Sequence, residues 1–279
     1  MTVLLLASAS PARLAVLRTA GLDPLVTVSG VDEDALLSRL RDTAPEQQIR
    51  TLAESKADAV ALRVSAGAVP GVPSDDVVVV GCDSMLLIDG ELQGKPAGPE
   101  QAKERWRQMA GRNGVLLTGH AVRRVTAGRV TAGAADTRST IVRMGRPTDA
   151  ELDAYIATGE PLTVAGALTI DGFGGWFVEG VDGDPSNVLG ISLPLTRDLL
   201  QRVGVRVTDL WRVPATSGTA PPAPTEHAPQ APFARAAQAQ PTAAAPKVGA
   251  AVVSNGSRAA TAGMTLPAAL LDSPAHRST

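Results

Sequence analysis

Cysteine is nearly absent from this sequence: Cys82 stands alone among 279 residues, so no intramolecular disulfide and no multi-cysteine metal site can form. A lone thiol inside an apolar run fits a reducing compartment, and a cytoplasmic location is expected. Histidine is as sparse. His120, His227 and His276 are too far apart in the chain to suggest a metal cluster, and a turn position is expected for His120. Aromatic residues make up only 3% of the chain. No apolar run reaches the ~20 residues that a membrane-spanning helix needs, and the Val3 to Ala7 run lacks the charged flank of a signal peptide. A net charge of −2 gives no basic footprint, so neither nucleic acid nor membrane is expected as a partner. Two nucleotide-binding signatures are also missing: there is no G-x-x-x-x-G-K-[ST], and no G-x-G-x-x-G follows a strand.

What is present divides unevenly. From Ala215 to Thr279 the chain is dominated by Ala, Pro, Thr, Ser and Gly, with Phe233 as its one aromatic residue. Such a segment buries too little apolar surface to offset its ordering entropy, so it is expected to be a disordered tail, in which Met264 to Leu271 is expected to be a nascent helix at most, with a short helix or docking segment as the alternative. Residues 1–214 are then expected to form one α/β domain with mixed α+β character.

Within that domain, Val3 to Ala7 has the pattern of a buried strand. Ser8-Ala9-Ser10-Pro11 leads into a helix from Pro11 to Ala20 closed by Gly21. Val26 to Ser29 suggests a strand leading to the acidic cluster Asp32-Glu33-Asp34, and Pro45 to Ala66 a long amphipathic helix carrying Lys56. Further helices are expected from Glu100 to Met109, Thr148 to Thr158 (with a capping box at Thr148 and Glu151) and Leu193 to Val203. Short strands are expected at Val115 to Thr118, Ala121 to Val125, Val130 to Gly133 and Thr137 to Met144, with a loop from Gly180 to Gly190.

The most informative stretch is Val77 to Pro96, VVVVGCDSMLLIDGELQGKP. Val77 to Val80 suggests a strand covered on both faces, ending at Gly81-Cys82-Asp83-Ser84; Met85 to Ile88 suggests a second, closed by an Asp89-Gly90 turn. A carboxylate left unpaired there would be costly, so Asp83 should be paired, metal-bound or protonated. Either it caps backbone amides at a strand end or it does chemistry. Lys56 and Lys95 read alone are surface lysines, but the flanking Gly94 and Pro96 suggest a positioned ammonium at Lys95. Ser8 and Ser10 before a helix start make an anion cradle, with Arg13 one turn in as a phosphate fork; alternatively Ser10 is an ordinary N-cap and Arg13 a solvated residue. Glu33 and Asp83 are the candidate pair for a hard divalent cation. Cations for phosphates, carboxylates for a metal and a base for water together suit phosphoanhydride hydrolysis. Cys82 has no evident His partner and is expected to be a buried structural thiol.

The ordered segments LLLASASPARLAVL, Glu33, Glu54-Ser55-Lys56-Ala57, VVGCDSMLLIDGELQGKP, TGEPLTVAGALTIDGFG and GDPSNVLGISL resemble the Maf family of nucleoside triphosphate pyrophosphatases across nearly all of residues 1–212. The resemblance implies a mixed α/β domain with a nucleotide cleft. It also implies a homodimer that hydrolyses a nucleoside triphosphate to the monophosphate and pyrophosphate with Mg²⁺ or Mn²⁺. It makes Asp83 the proton acceptor and Ser8, Ser10, Arg13, Glu33, Lys56 and Lys95 the polar residues of the cleft. Three positions where the family's substrate branches differ are Ala12, Ser84 and Asp171, and these match neither the dTTP/UTP branch nor the 7-methyl-GTP branch. Ala12 leaves room for a larger base and Asp171 offers only acceptors, which favours a base presenting N–H donors or broad specificity. Gly114, Val164 and Leu168 also depart from the common pattern. Because the family is linked to septum formation, a non-catalytic nucleotide-binding regulator with a docking tail is the alternative; a house-cleaning pyrophosphatase for deaminated purines is a third reading.

Overall fold

The computed structural model describes residues 2–212; the expectations for the tail and for Met264 to Leu271 lie outside them. Seven strands make one mixed sheet. Strand β1 (Val3–Leu6) lies between β2 (Leu25–Val26) and β3 (Asp76–Ile88), parallel to both. Then β5 (Asn113–Thr126), β6 (Arg129–Met144) and β7 (Val178–Asp182) continue antiparallel, while β4 (Glu91–Gln93) pairs only with β3. The mixed α/β expectation is borne out.

Helix α3 (Pro45–Ser65) covers one face of the sheet. Its Ala53, Ala57 and Val60 pack on Leu5, Val77 and Val79. Helices α1 (Pro11–Thr19) and α7 (Leu193–Arg202) cover the other face, where Leu17 and Leu199 meet Leu4, Leu6, Val78 and Val80. The alternation of one burial set with the other along β1 and β3 is the period-2 signature of a strand buried on both sides. Farther along the sheet, α4 (Pro99–Met109) and α5 (Asp149–Ala157) close a third cluster around Leu86, Trp106 and Tyr155. The Trp106 and Tyr155 rings meet edge to face at 5.9 Å. The capping box expected at Thr148 and Glu151 is formed.

Two glycines set how closely α3 lies on the sheet. A Cβ at Gly81 would sit 2.6 Å from the Ala53 carbonyl oxygen, and one at Gly119 would sit 2.2 Å from that of Ile49. Only hydrogen fits at either place. This close approach brings Lys56 down to the sheet.

Several sequence expectations change. The two runs flanking Asp83 are one continuous 13-residue strand, because β5 pairs with β3 in unbroken register from Asp76↔Thr126 to Leu87↔Val115. Asp83 is therefore in mid-strand opposite Gly119. The short runs from Val115 to Met144 likewise fuse into the long β5–β6 hairpin, so His120 is a buried β5 residue and not a turn residue. The acidic cluster begins a helix, α2 (Glu33–Leu40), capped by Asp32, whose side chain accepts from Ala35 N at 2.9 Å. The loop expected from Gly180 to Gly190 contains the end of β7 and the single turn α6 (Pro185–Val188). Among the described residues, no helix is long and apolar enough to cross a membrane.

Candidate functional site

Strand β3 has an open window in its edge. On the side away from β5, β1 pairs with Val77 to Val80 and β4 pairs with Leu86 to Ile88, which leaves Gly81 to Met85 without a strand neighbour. Val80 O accepts from Ala7 N at 2.8 Å on that side. Because main-chain groups alternate along a strand, Cys82 and Ser84 turn theirs toward the same window. The end of β1 and the first turn of α1 adjoin it.

On the α3 face of the window lies a buried charge cluster. Asp83 is 6% exposed and Lys56 also 6%. The Lys56 ammonium donates to Asp83 Oδ1 and pairs with Glu33 Oε1 at 2.8 Å. Glu33, in the first turn of α2, is about half exposed. Burial raises the Asp83 pKa from the ordinary aspartate value, against the opposing pull of Lys56 and then Arg13. The result is a carboxyl group more basic than a solvated one, with the neighbouring ammonium opposing that rise. Glu33 and Asp83 both reach the Lys56 ammonium, which fills the point where these oxygens converge, so a metal cation would be held by their other oxygens. Among the described residues no three His, Cys, Asp or Glu side chains gather. Two carboxylates fit a hard cation whose remaining ligands are phosphate oxygens and water, and do not fit an all-protein cage.

On the opposite face lies Arg13, 8% exposed. Its Nε donates to Gly190 O at 2.7 Å, Nη1 to Ser8 Oγ and Cys82 O at 3.0 Å each, and Nη2 to Ser84 Oγ at 2.9 Å. Four of its five N–H groups are thus committed to internal acceptors. Ser8 Oγ also accepts from Ser10 N at 3.2 Å, and Ser10 caps α1 by accepting from Arg13 N at 3.4 Å. The guanidinium joins α1, the Ser8 turn, the window strand and the segment before α7.

Lys95 follows β4 in an exposed loop, and no ion pair to it is formed among the described residues. The loop itself is fixed: Gly94 O accepts from Gly166 N at 3.0 Å and from Arg105 Nη1 at 2.8 Å. The β3–β4 hairpin, with Gln93 opposite Leu86, runs the chain back toward the window just before Lys95. Ala12 is half-buried in the first turn of α1, and Asp171 is exposed. The Asp171 loop is organised by Glu160, whose carboxylate accepts from Phe173 N and Gly174 N at 2.9 Å each and from Thr169 Oγ1.

Residues 3–203 match the family model described as Maf-like protein. The chain belongs to the Maf family. It is 61% identical over 210 residues to the nucleoside triphosphate pyrophosphatase of Saccharopolyspora erythraea, covering 75% of this chain and 97% of that protein. It is 59% identical over 216 residues to the nucleoside triphosphate pyrophosphatase of Rhodococcus erythropolis, covering 76% and 98% respectively. The protein of the same name from Nocardia farcinica is 58% identical over 215 residues, covering 77% and 99%.

The Maf match spans both faces of the sheet and includes a polar network that sequence reasoning missed. Thr118, His120 and Asn187 are fully buried. His120 Nδ1 lies 3.0 Å from Thr118 O and its Nε2 accepts from Ser192 N at 2.8 Å, which makes the ring neutral with its proton on Nδ1. Burial pushes its pKa down to about 3. Asp184 caps α6 by accepting from Ser186 N at 2.9 Å and also accepts from Ser192 Oγ. The Asp184-Pro185-Ser186 cap signature was the available signal for this segment. His120 carried none, since it alternates into the core like its apolar neighbours. The Cys82 thiol is buried and its pKa pushed up to about 11, as expected of a structural thiol.

Proposed function

We propose that this Maf-family chain hydrolyses nucleoside triphosphates to nucleoside monophosphate and pyrophosphate, with the window in β3 as the reaction site. Relatives at 53–61% identity that carry the name nucleoside triphosphate pyrophosphatase support the reaction class. The observation that carries the assignment within this chain is Asp83, a buried carboxylate held by Lys56 in the stretch of β3 that has no strand neighbour on one side.

In this reading Asp83 takes the proton from a water molecule as its oxygen attacks the α-phosphorus. The bond from that phosphorus to the β-phosphate oxygen breaks, and pyrophosphate leaves. Lys56 holds the Asp83 carboxylate in place and offsets the negative charge that gathers in the transition state. Lys95, on its anchored loop, supplies an exposed ammonium to the triphosphate. Main-chain N–H groups of the turn before α1, other than that of Ser10, which donates to Ser8 Oγ, offer donors to phosphate oxygens. Glu33 and Asp83 would hold a divalent cation, Mg²⁺ or Mn²⁺, which when bound neutralises triphosphate charge and polarises its phosphorus–oxygen bonds. Ala12 and Asp171 are the positions offered for base selection, toward bases that present N–H donors.

Pyrophosphate release from a panel of common, deaminated and methylated triphosphates, with Mg²⁺ or Mn²⁺, tests this reading. One pyrophosphate per monophosphate is expected from the best substrate. Absence of hydrolysis of every triphosphate would overturn it, and exclusive dTTP/UTP activity would overturn the inference about the base.

A further inference from the structure

Ser84 occupies a position where substrate selection is expected, yet its side chain is engaged inside the fold. Its hydroxyl accepts from Arg13 Nη2 at 2.9 Å and lies 3.0 Å from Thr118 Oγ1, which in turn reaches Asn187 O at 3.4 Å. The proton order along this chain is fixed at both ends. A guanidinium only donates and a carbonyl only accepts, so Ser84 must donate to Thr118, and Thr118 to Asn187. We propose that Ser84, Thr118 and Asn187 form a buried relay that positions Arg13, so that Ser84 and Thr118 act on the reaction through the guanidinium and not by touching the nucleotide base.

The far end of the relay is anchored. Asn187 is fully buried, and its Nδ2 is shared among Leu116 O at 3.2 Å, Arg138 O at 3.3 Å and Thr140 Oγ1 at 3.1 Å, on β5 and β6. Three residues on, the same segment presents Gly190 O to Arg13 Nε at 2.7 Å. Gly190 has φ +97°, and a Cβ there would lie 3.3 Å from Arg13 Nε. One segment therefore holds the guanidinium twice, once directly and once through two hydroxyls. Buried hydrogen-bonded chains of this kind fix geometry because each unpaired member is costly. Four of the five guanidinium N–H groups are held inside the fold, which leaves one to offer a phosphate in the window, and a small rotation would re-aim it without moving Asp83 on the opposite face of β3.

The inference rests on the pyrophosphatase reading, and its test separates the two. Thr118→Val removes one hydroxyl at near-constant volume, and Thr118→Ser restores it; Ser84→Ala and Ser84→Thr repeat the comparison at the second hydroxyl should the first pair fail to fold. We expect Thr118→Val to lower kcat/KM about tenfold for every triphosphate alike, with Thr118→Ser near the unmodified rate. In an Arg13→Lys background, Thr118→Val should cost little more, because the group it positions is already gone. Unchanged turnover in Thr118→Val and Ser84→Ala, or full additivity with Arg13→Lys, would overturn the relay. So would a switch of base preference with the best rate intact. Titration of an α,β-methylene triphosphate analogue gives the same comparison by affinity. A chain that hydrolyses nothing would thus overturn the pyrophosphatase reading while the relay is still judged.

Discussion

Asp83 and Ser84 are consecutive residues of β3, and they serve opposite faces of the sheet. Asp83 meets Lys56 from α3, and Ser84 meets Arg13 from α1. The pleat of a strand makes this unavoidable, and it separates the buried carboxylate from the guanidinium that the same window requires.

Asp83→Asn keeps the size and removes the proposed base. The expected loss in kcat is about 10²- to 10⁴-fold, with analogue binding retained within several-fold. In the unmodified enzyme, burial raises the Asp83 pKa, so the ionised, active form appears only above that raised value. Activity is then lost as pH falls through it. The acid limb of a kcat/KM profile should lie above the ordinary aspartate value of about 3.9. An activity plateau reaching down to that value would contradict the assignment.

Lys56→Met leaves Asp83 buried beside Glu33 with no ammonium between them. Breaking a buried pair by removing one partner costs about 3–5 kcal/mol, which for a domain of this size lowers Tm by about ten degrees. Adding Asp83→Asn to the same chain should recover most of the loss. Thermal melts at neutral pH decide it, and an unchanged Tm in the single variant would show that Asp83 does not depend on the Lys56 ammonium for its burial.

Gly119→Ala places a methyl 2.2 Å from a main-chain oxygen of α3. The helix must shift outward, and Lys56 with it. A destabilisation of at least ~2 kcal/mol is expected together with reduced turnover. Gly98→Ala, where nothing lies within 4 Å, is the control for stability. If the two variants melt alike, α3 does not depend on this contact.

His120 makes stability pH-dependent in a defined direction. Its folded pKa is down at about 3, below the 6.5 of an exposed imidazole. Between those values the unfolded chain binds a proton that the folded chain refuses, so stability falls as pH drops through that window, by about 1.4 kcal/mol per unit. His120→Gln, which cannot titrate, should flatten this part of the denaturation profile. An equally steep acid dependence in the variant would assign it to other groups.

The Ser8-x-Ser10-Pro-x-Arg13 turn, the helices begun at Pro11, Pro45 and Thr148 and the β-branched strand before Asp83 were legible in the sequence, because capping, periodicity and turn chemistry act over a few residues, whereas the set of candidate cleft residues came from the resemblance to the family. The mixed α/β class followed from them. Tertiary structure alone decided that Gly81 to Ser84 continue a strand, since the deciding interaction is the register with β5, more than thirty residues away. It also decided that Glu33 begins a helix reaching Lys56, that His120 is buried and neutral, and that Arg13 is held by Ser84, Gly190 and Cys82. Each of these depends on partners brought together by the closing of the sheet and the close seating of α3, and burial then sets their charge and hydrogen bonding. Local sequence could nominate Asp83 as a charge needing a partner; only the packed fold supplied Lys56.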